Sequence, residues 1–353
     1  MKIILVCGAR PNFMKIAPLL RAMRKFNEER GRLFEPLLLH TGQHYDYEMS
    51  QVFFHDLELP EPDIYLGIGS GTHAEQTGKT MIEFEEVLLK EKPHLVIVVG
   101  DVNSTLAAAL AAAKLNVPIA HVEAGLRCYD KSMPEEINRL LTDHVSDYLF
   151  TPSPDASENL RKENILEDKI FFVGNIMVDS LLSHKELASQ RQILSWLGLE
   201  SESYALLTLH RPDNVDDKPT LLRLVSAISD IARRIPVIFP AHPRTRKNIA
   251  RFGFQNFFQD KQIYFIEPVG YLDFLNLEMN ARFVMTDSGG IQAESTILNI
   301  PCLTLYHTTA WTDTLTQGTN TLVGTEPEKT IEEAFKILDD KGKKGSSPEL
   351  WDG

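Results

Sequence analysis

The sequence predicts a doubly wound α/β protein with two Rossmann-like parallel-sheet domains and a cleft between them. Three observations carry this prediction. Short β-branched runs that end in Gly, Asp, His or Glu alternate with longer helical patterns, which is the signature of strand–helix–strand units. Several of those runs are apolar throughout, as strands must be when helices cover both faces of their sheet. The chain has 353 residues, too many for one ordinary core and suited to two domains of about 150–200 residues each.

In chain order the first strand-like runs are Ile3–Cys7, Pro36–His40, Leu95–Val99, Ile119–Val122, Tyr148–Phe150 and Ile170–Val173. A second set follows at Tyr204–Leu209, Val237–Phe239, Ile263–Phe265, Phe283–Met285 and Cys302–Leu305. The stretch between them, from Gly174 through Leu187–Ser203, lacks strand character and reads as a helical linker. The domains are therefore drawn as residues 1–177 and 178–353. The amino-terminal apolar run is about five residues long and stops at Gly8, too short for a secretory or membrane-spanning segment. It reads as a buried first strand.

Composition narrows the function. Hydrophobic residues make up 43% and charged residues 24%, a globular balance. A net charge of −13 argues against nucleic acid and against an anionic membrane as partners, since both need a basic face. The three cysteines, Cys7, Cys128 and Cys302, are odd in number and far apart. That pattern fits reduced thiols in the cytoplasm better than disulfides or a zinc site. The sequence has no HExxH and no Cys/His cluster, so no metal is expected. It has no Walker A string and no GxGxxG after the first strand, so neither ATP nor NAD is expected. No cofactor is expected.

Ligands of open parallel sheets bind beyond the carboxyl ends of the strands, so the residues there are the candidates. The first strand runs into Gly8-Ala9-Arg10-Pro11-Asn12-Phe13-Met14-Lys15, a glycine turn and a helix with two cations. Later strands end in Thr41-Gly42-Gln43-His44, Gly100-Asp101 and Glu123-Ala124-Gly125-Leu126-Arg127, and Pro134-Glu135-Glu136-Ile137-Asn138-Arg139 opens a helix. In the second half the ends carry His210-Arg211-Pro212, His242-Pro243-Arg244 and Asp287-Ser288-Gly289-Gly290. Each has a plain structural explanation: Asp101 as a helix cap, His44 or His121 as a structural histidine, Arg127 and Arg139 as surface ion-pair members. Those explanations account badly for the joint pattern of Arg10, Lys15, Asp101, Glu123, Glu135, Arg139, His210 and Ser288 around one crevice.

The Ser288-Gly289-Gly290 turn carries its own physics. A strand that ends in Thr-Asp-Ser and runs through two glycines into a helix presents free N–H groups at a helix N-terminus. The helix dipole favours a diphosphate there, and glycines let it approach closely. Glu294, more than a helical turn on, is placed to reach ribose hydroxyls.

The strings GARPNFMKIAPL, TGQH, VGDVNSTLAAALAA, HVEAGLR, MPEEINR, GN with Asp179 after it, LHR, HPRT and TDSGGIQAE occur in this order. Together they closely resemble the non-hydrolysing UDP-N-acetylglucosamine 2-epimerases, over essentially the whole chain. The resemblance implies a GT-B-type fold, a homodimer and interconversion of UDP-GlcNAc and UDP-ManNAc for cell-surface polysaccharide precursors. It also implies a mechanism: UDP is eliminated across C1–C2 to leave a 2-acetamidoglucal, then re-added with the proton delivered to the other face. By matching positions it implies acid/base and catalytic roles for Asp101, Glu123, Glu135 and His210. Arg10, Lys15 and Arg139 fall near the diphosphate and sugar, and Lys15 is counted with the catalytic set. Ser288, Gly289, Gly290 and Glu294 fall on the UDP, and His242 is counted with these binding residues. Gln43, Glu136 and Arg211, with His242, fall at or near a second UDP-GlcNAc site that activates some bacterial members allosterically.

The chain departs from the family pattern where relatives usually carry an Arg followed by Thr-Glu-Arg-Pro. It has Tyr306-His307-Thr308-Thr309-Ala310-Trp311-Thr312-Asp313 there. Losing a bidentate Arg contact to a diphosphate removes typically about 1.5–3 kcal/mol. Three other activities are therefore weighed beside UDP-GlcNAc epimerisation: epimerisation of a related UDP-2-acetamido sugar, GT-B glycosyl transfer from a UDP-sugar, and nucleotide-sugar binding without turnover.

Overall fold

The computed structural model describes residues 1–43, 56, 57, 59–258 and 262–353, with the side chain of Arg10 excepted. His44, singled out above, lies outside the described residues. The chain divides into two compact units, Met1–Ser180 with Asp352–Gly353, and Leu181–Trp351.

The first unit holds β1 (Lys2–Cys7), β2 (Glu35–His40), β3 (Ile64–Tyr65), β4 (Leu95–Val99), β5 (Ile119–Val122), β6 (Tyr148–Thr151) and β7 (Ile170–Phe172). They form one sheet in the order β3-β2-β1-β4-β5-β6-β7, with every neighbouring pair parallel. The second unit holds β8 (Ala205–Thr208), β9 (Val237–Pro240), β10 (Ile263–Ile266), β11 (Phe283–Thr286), β12 (Cys302–Thr304) and β13 (Asn320–Leu322). Their order is β10-β9-β8-β11-β12-β13, again all parallel. Both units are doubly wound Rossmann-like sheets, as the alternation predicted.

The strand order reverses between β1 and β4 in the first unit and between β8 and β11 in the second. At such a switch point the crossover helices leave to opposite faces and open a crevice at the strand ends. The residues after β1, β4, β8 and β11 are therefore the ones the fold presents.

What holds those ends in place is the apolar sheet behind them. In the first unit Ile4, Val6, Leu39, Val96, Val98 and Ile119 pack on Phe84 and Leu88 of the helix His73–Glu91 and on alanines 108, 109, 111 and 112. Those alanines sit on the helix Asn103–Lys114, and their small side chains let it lie close to the sheet. The second sheet shows the period of two directly. Ala205, Leu207, Val237, Phe239, Phe283 and Met285 face one cluster, whereas Tyr204, Leu206, Ile238, Val284 and Cys302 face the other. Each such buried Val, Leu, Ile or Phe contributes about 1.5–3 kcal/mol over exposure.

Two strands escaped the sequence reading. β3 and β13 are short outer strands of their sheets, and neither carries an apolar run long enough to register. The expected linker contains the helices Ile176–Ser189 and Ile193–Leu197.

Candidate active site

In the first unit the switch point is built around a lysine–glutamate pair. Asn12 fixes the start of the helix Arg10–Arg30: its Oδ1 accepts from Gly8 N at 2.9 Å and Ala9 N at 3.1 Å, and its Nδ2 donates to Val99 O at 3.1 Å. The helix start is thereby tied to the end of β4. Lys15, one turn further, donates from Nζ to Glu123 Oε1 at 2.6 Å, with the residues only 5% and 7% exposed. Gly100 has φ +65°, and a Cβ there would stand 2.8 Å from Lys15 Nζ. The positive φ favours glycine, and an added side chain would have to displace the Lys15 ammonium.

Glu123 is itself unusual. It takes φ +73° directly after β5, a left-handed conformation that costs a non-glycine residue on the order of 1 kcal/mol or more. Its N–H and that of Ala124 both donate to Phe150 O, at 3.1 and 3.0 Å, which holds the turn. The second carboxylate oxygen, Oε2, is buried without a hydrogen-bond partner among the described residues. Burial pushes this carboxyl above its ordinary range; the charge of Lys15 pulls it back, and the neighbouring charge of Asp101 pushes it up again.

Asp101 belongs to a second chain of contacts. Arg139 donates from Nη1 to Asp101 Oδ2 at 2.5 Å, and from Nη2 to Glu136 Oε2 at 2.7 Å. Glu136 also accepts from the backbone N–H of Cys128 and of Tyr129, at 3.1 and 2.8 Å. Burial alone would raise the Glu136 carboxyl, but the Arg139 hydrogen bond and these N–H donors outweigh it and hold it below its usual range. Burial would likewise lower the Arg139 guanidinium, yet Asp101 and Glu136 keep it a firm cation. The two cations expected near a diphosphate, Lys15 and Arg139, are thus matched to acids of their own unit.

Glu135 lies half-buried at the start of the helix Pro134–Val145. Gln43 is spent on scaffolding, its Oε1 accepting from Ser104 N at 3.1 Å and Ser104 Oγ at 2.7 Å. The side chain of Arg10 lies outside what the structure describes.

The plain readings of Arg127 and Arg139 as surface ion-pair members are corrected: the residues are 2% and 5% exposed. Arg127 donates from Nε and Nη2 to Glu163 at 2.7 and 2.6 Å and pairs through Nη1 with Asp143 at 2.8 Å. His121 is structural. Its Nδ1 lies 2.6 Å from Asp143 Oδ1 and its Nε2 lies 2.8 Å from Gly100 O. The ring pins the carbonyl of Gly100, and with it the turn that carries Asp101. Asp143 had no sequence signal because it sits inside a helix rather than after a strand.

In the second unit the crevice belongs to His210 and Asp287. His210 Nδ1 lies 2.9 Å from Asp287 Oδ1, with the His210 side chain 44% exposed and that of Asp287 fully buried. Asp287 also accepts from His210 N at 3.0 Å, Arg211 N at 2.9 Å and Asn214 Nδ2 at 3.1 Å. Burial would raise this carboxyl; the charge and hydrogen bonds of His210 and the Arg211 N–H hold it low. A carboxylate that fixes one ring nitrogen leaves the other for chemistry. Asp287 stood in the Thr-Asp-Ser string that the glycines drew attention to, and its orienting role was missed.

Arg211 donates from Nε to Asp287 O at 2.7 Å, and its guanidinium stacks 4.6 Å from the Tyr306 ring. Tyr306 in turn donates to Asp213 Oδ2 at 2.5 Å. His242 caps the helix Pro243–Phe252, accepting from Arg244 N at 3.2 Å, with its ring 6.1 Å from that of His210.

Ser288 precedes the helix Gly289–Ile297, and its hydroxyl makes no cap hydrogen bond. Its N–H goes instead to Thr286 Oγ1 at 2.9 Å. The first N–H groups of the helix itself have no intrahelical acceptors. A Cβ on Gly289 would come within 3.0 Å of Trp311 Nε1, so this glycine also makes room for an indole. Glu294 is 4% exposed and accepts from Tyr271 Oη at 3.1 Å. The structure therefore assembles Lys15, Asp101, Glu123, Glu136 and Arg139 in the first unit, and His210, Arg211 and Ser288 around Asp287 in the second.

Comparison with known proteins identifies the family. The family model described as UDP-N-acetylglucosamine 2-epimerase matches residues 27–353. The UDP-N-acetylglucosamine 2-epimerase of Methanocaldococcus jannaschii is 46% identical over 354 residues, covering 99% of this chain and 95% of that protein. The UDP-2,3-diacetamido-2,3-dideoxy-D-glucuronate 2-epimerase of Pseudomonas aeruginosa is 45% identical over 342 residues, covering 96% and 92%. A crystal structure of the M. jannaschii UDP-GlcNAc 2-epimerase, in complex with UDP-GlcNAc and UDP, superposes with a TM-score of 0.91 at 46% identity, covering 100% of this chain and 97% of that one. On the strand-end constellations and on these matches, the chain belongs to the UDP-N-acetylglucosamine 2-epimerase family.

Proposed function

We propose that this enzyme inverts C2 of a UDP-linked 2-acetamido sugar, interconverting UDP-GlcNAc and UDP-ManNAc. The observation that carries the chemistry is the buried Lys15–Glu123 pair, with Glu123 Oε2 unpartnered among the described residues and the charge of Asp101 acting on it. The C2 proton is not acidic enough for simple removal. In our reading one carboxylate takes the C2 proton as the C1–O bond breaks, its electron pair leaves with UDP, and a C1=C2 double bond remains. UDP then returns to C1 while a second acid delivers a proton to the opposite face of C2. The sequence of steps is redox-neutral and needs acids on both faces, which suits Glu123 with Asp101 and Glu135 as partners. His210, oriented by Asp287, serves the same chemistry or the departing phosphate oxygen. The helix N-terminus at Ser288, Gly289 and Gly290 takes the diphosphate, and Glu294 takes the ribose. Arg10, Lys15, Arg139 and His242 complete the binding set.

A second reading of the substrate is favoured by the 45% identity to a UDP-2,3-diacetamido-2,3-dideoxy-D-glucuronate 2-epimerase. Incubation in D2O with UDP-GlcNAc and the diacetamido-glucuronate substrate separates the two. Deuterium at C2 with formation of UDP-ManNAc is the expected result; exchange confined to the diacetamido sugar reassigns the substrate, and no exchange with either overturns the enzyme reading.

We assign Gln43, Glu136 and Arg211 to a second UDP-GlcNAc site that activates turnover, supported by the relative solved with UDP-GlcNAc and UDP together. A lag with pure UDP-ManNAc, abolished by traces of UDP-GlcNAc, is the expected signature. Among the described residues no helix is long and apolar enough to cross a membrane, and the proposed setting is a cytoplasmic homodimer, testable by fractionation and light scattering.

A further inference from the structure

A chain of buried side-chain amides ends on the backbone of Asp101. Gln76, on the helix His73–Glu91, donates from Nε2 to Gln43 O and to Gly69 O, both at 3.3 Å. Its Oε1 accepts from Asn103 Nδ2 at 2.8 Å. Asn103, the first residue of the helix Asn103–Lys114, accepts at Oδ1 from Asn138 Nδ2 at 3.3 Å. Asn138, on the helix Pro134–Val145, also donates from Nδ2 to Asp101 O at 2.8 Å. Gln76, Asn103 and Asn138 are 9%, 6% and 6% exposed.

The chain can face only one way. A backbone carbonyl accepts and never donates, so Gln76 must turn its NH2 to Gln43 O and Gly69 O, and Asn138 must turn its NH2 to Asp101 O. The two ends then dictate the middle: Asn103 points Oδ1 at Asn138 and Nδ2 at Gln76. The same Nδ2 lies 3.1 Å from His73 Nδ1. Turning Asn103 over would set oxygen against oxygen on one side and NH2 against NH2 on the other, which burial penalises.

We propose that Gln76, Asn103 and Asn138 are positioning residues for Asp101, and that their amide chain fixes the turn carrying it by reference to the turn of Gln43. This rests on the assignment of Asp101 to the acid/base set. Asp101 is held twice from one helix, its carboxylate by Arg139 Nη1 and its carbonyl by the neighbouring Asn138. The far end of the chain is anchored as well, because Ser104, next to Asn103, gives its N–H and hydroxyl to Gln43 Oε1. Apolar packing would hold the three helices at the same spacing but would not orient a carbonyl; hydrogen bonds are directional and do.

The test is C2 exchange in D2O, steady-state kinetics with UDP-GlcNAc and thermal melting of the full-length enzyme. Its variants are Gln76→Leu, Asn103→Leu, the double variant of these two, Asn103→Asp and Asp101→Asn. Asn103→Leu should lower kcat by about 10²-fold, the loss expected for a misplacement on the order of 1 Å, and leave KM within about twofold. Gln76→Leu, further along the chain, should lower kcat by about tenfold. The double variant should be no slower than Asn103→Leu, because both substitutions cut one chain. Asn103→Asp keeps the oxygen that Asn138 needs and loses the donor to Gln76, so it should resemble Gln76→Leu; it also serves as the isosteric probe should a leucine variant fail to fold. Effects that multiply in the double variant, or an unchanged kcat beside a lowered melting temperature, overturn the positioning role. If Asp101→Asn exchanges C2 at the wild-type rate, the assignment of Asp101 falls and the positioning role with it. If Asp101→Asn loses exchange while Asn103→Leu and Gln76→Leu keep it, the amide chain alone is overturned.

Discussion

Lys15 Nζ meets Glu123 Oε1 at 2.6 Å in a buried site, and the pair leaves Glu123 Oε2 with no hydrogen-bond partner among the described residues. A buried ion pair built for stability would have both oxygens satisfied, because desolvating two charges costs several kcal/mol per ion before any attraction is returned. Here one oxygen is left open, beside a backbone strained at φ +73° and a glycine that only just clears the lysine. Such an arrangement costs stability and is intelligible as a device for moving a proton.

The lysine is what keeps that carboxyl within working range. Replacing Lys15 with Met removes the charge that opposes burial, so the carboxyl should rise further, by about 1–3 pH units for the loss of an adjacent opposite charge. If Glu123 acts ionised, the ascending limb of log kcat/KM against pH should move upward by that amount, and activity at neutral pH should fall. A limb that stays in place while activity falls would mean that Lys15 serves the substrate and does not tune Glu123.

Asp101 provides the complementary case. Its carboxylate is held by Arg139 at 2.5 Å and remains partly open to solvent, 28% exposed. Asp101→Asn keeps the shape and removes the proton-transfer capacity, so C2 exchange in D2O should drop on the order of 10²–10⁴-fold. UDP affinity should change little, since the turn and carboxylate assigned to hold UDP most directly, Ser288–Gly290 and Glu294, lie in the other unit. Retained exchange would remove Asp101 from the acid/base set.

These residues also show what could be read before the fold was known. The ends of β1, β4, β8 and β11 were legible, because apolar runs that stop at Gly, Asp or His announce themselves, and the topology then places them at the switch points. Asp101 and His210 were found in this way, and Glu123 by the same signal at the end of β5. Asp143 and Glu278 were not, since each lies within a helix and gains its meaning only from what packs against it. His121 was legible in the other direction: its plain reading as a structural histidine agrees with both its nitrogens being consumed in holding Gly100 and Asp143. The strands β3 and β13 were missed because outer strands need less apolar surface than central ones.

Asp287 is expected to act through His210. Asp287→Asn replaces an acceptor by an amide, so its NH2 would face the donors of His210, Arg211 and Asn214, at about 1–3 kcal/mol for each group left unsatisfied. The kcat should fall by about 10²–10⁴-fold, with a smaller change in KM. The pH dependence of stability gives an independent reading. The Asp287 carboxyl lies below its ordinary value, so wild type gains stability above about pH 3.9 that fades as pH falls through the lower folded value. The variant should lack that acid-side loss; if both melt in parallel from pH 5 to pH 2, the carboxylate is not held as the structure indicates.

Glu278, 0% exposed on the helix Tyr271–Met279, has the opposite sign: burial first, then the charge of Glu294, pushes its carboxyl well above the ordinary range. A carboxyl raised in the folded state stabilises fully below about pH 4.3, and that stabilisation is lost as pH rises through the folded value. Glu278→Gln should therefore match wild type near pH 4 and become progressively more stable than it toward pH 9. Parallel melting curves across that range would show that the group titrates normally despite its burial.

Gly289 separates two reasons for one residue. As a helix N-terminal glycine it would admit a diphosphate; as the residue beneath Trp311 it clears the indole, whose Nε1 would lie 3.0 Å from an added Cβ. Gly289→Ala should overpack this contact and cost about 1–3 kcal/mol of stability. Trp311 also meets the Trp351 ring edge-on at 5.8 Å, so Trp311→Leu carries a cost of its own, and only the double-mutant cycle isolates the clash. The coupling should be favourable, with the second substitution relieving the first. UDP affinity decides the rest. If it stays low in the double mutant after stability is recovered, the glycine serves the phosphate; if it returns with stability, the glycine is there for the indole alone.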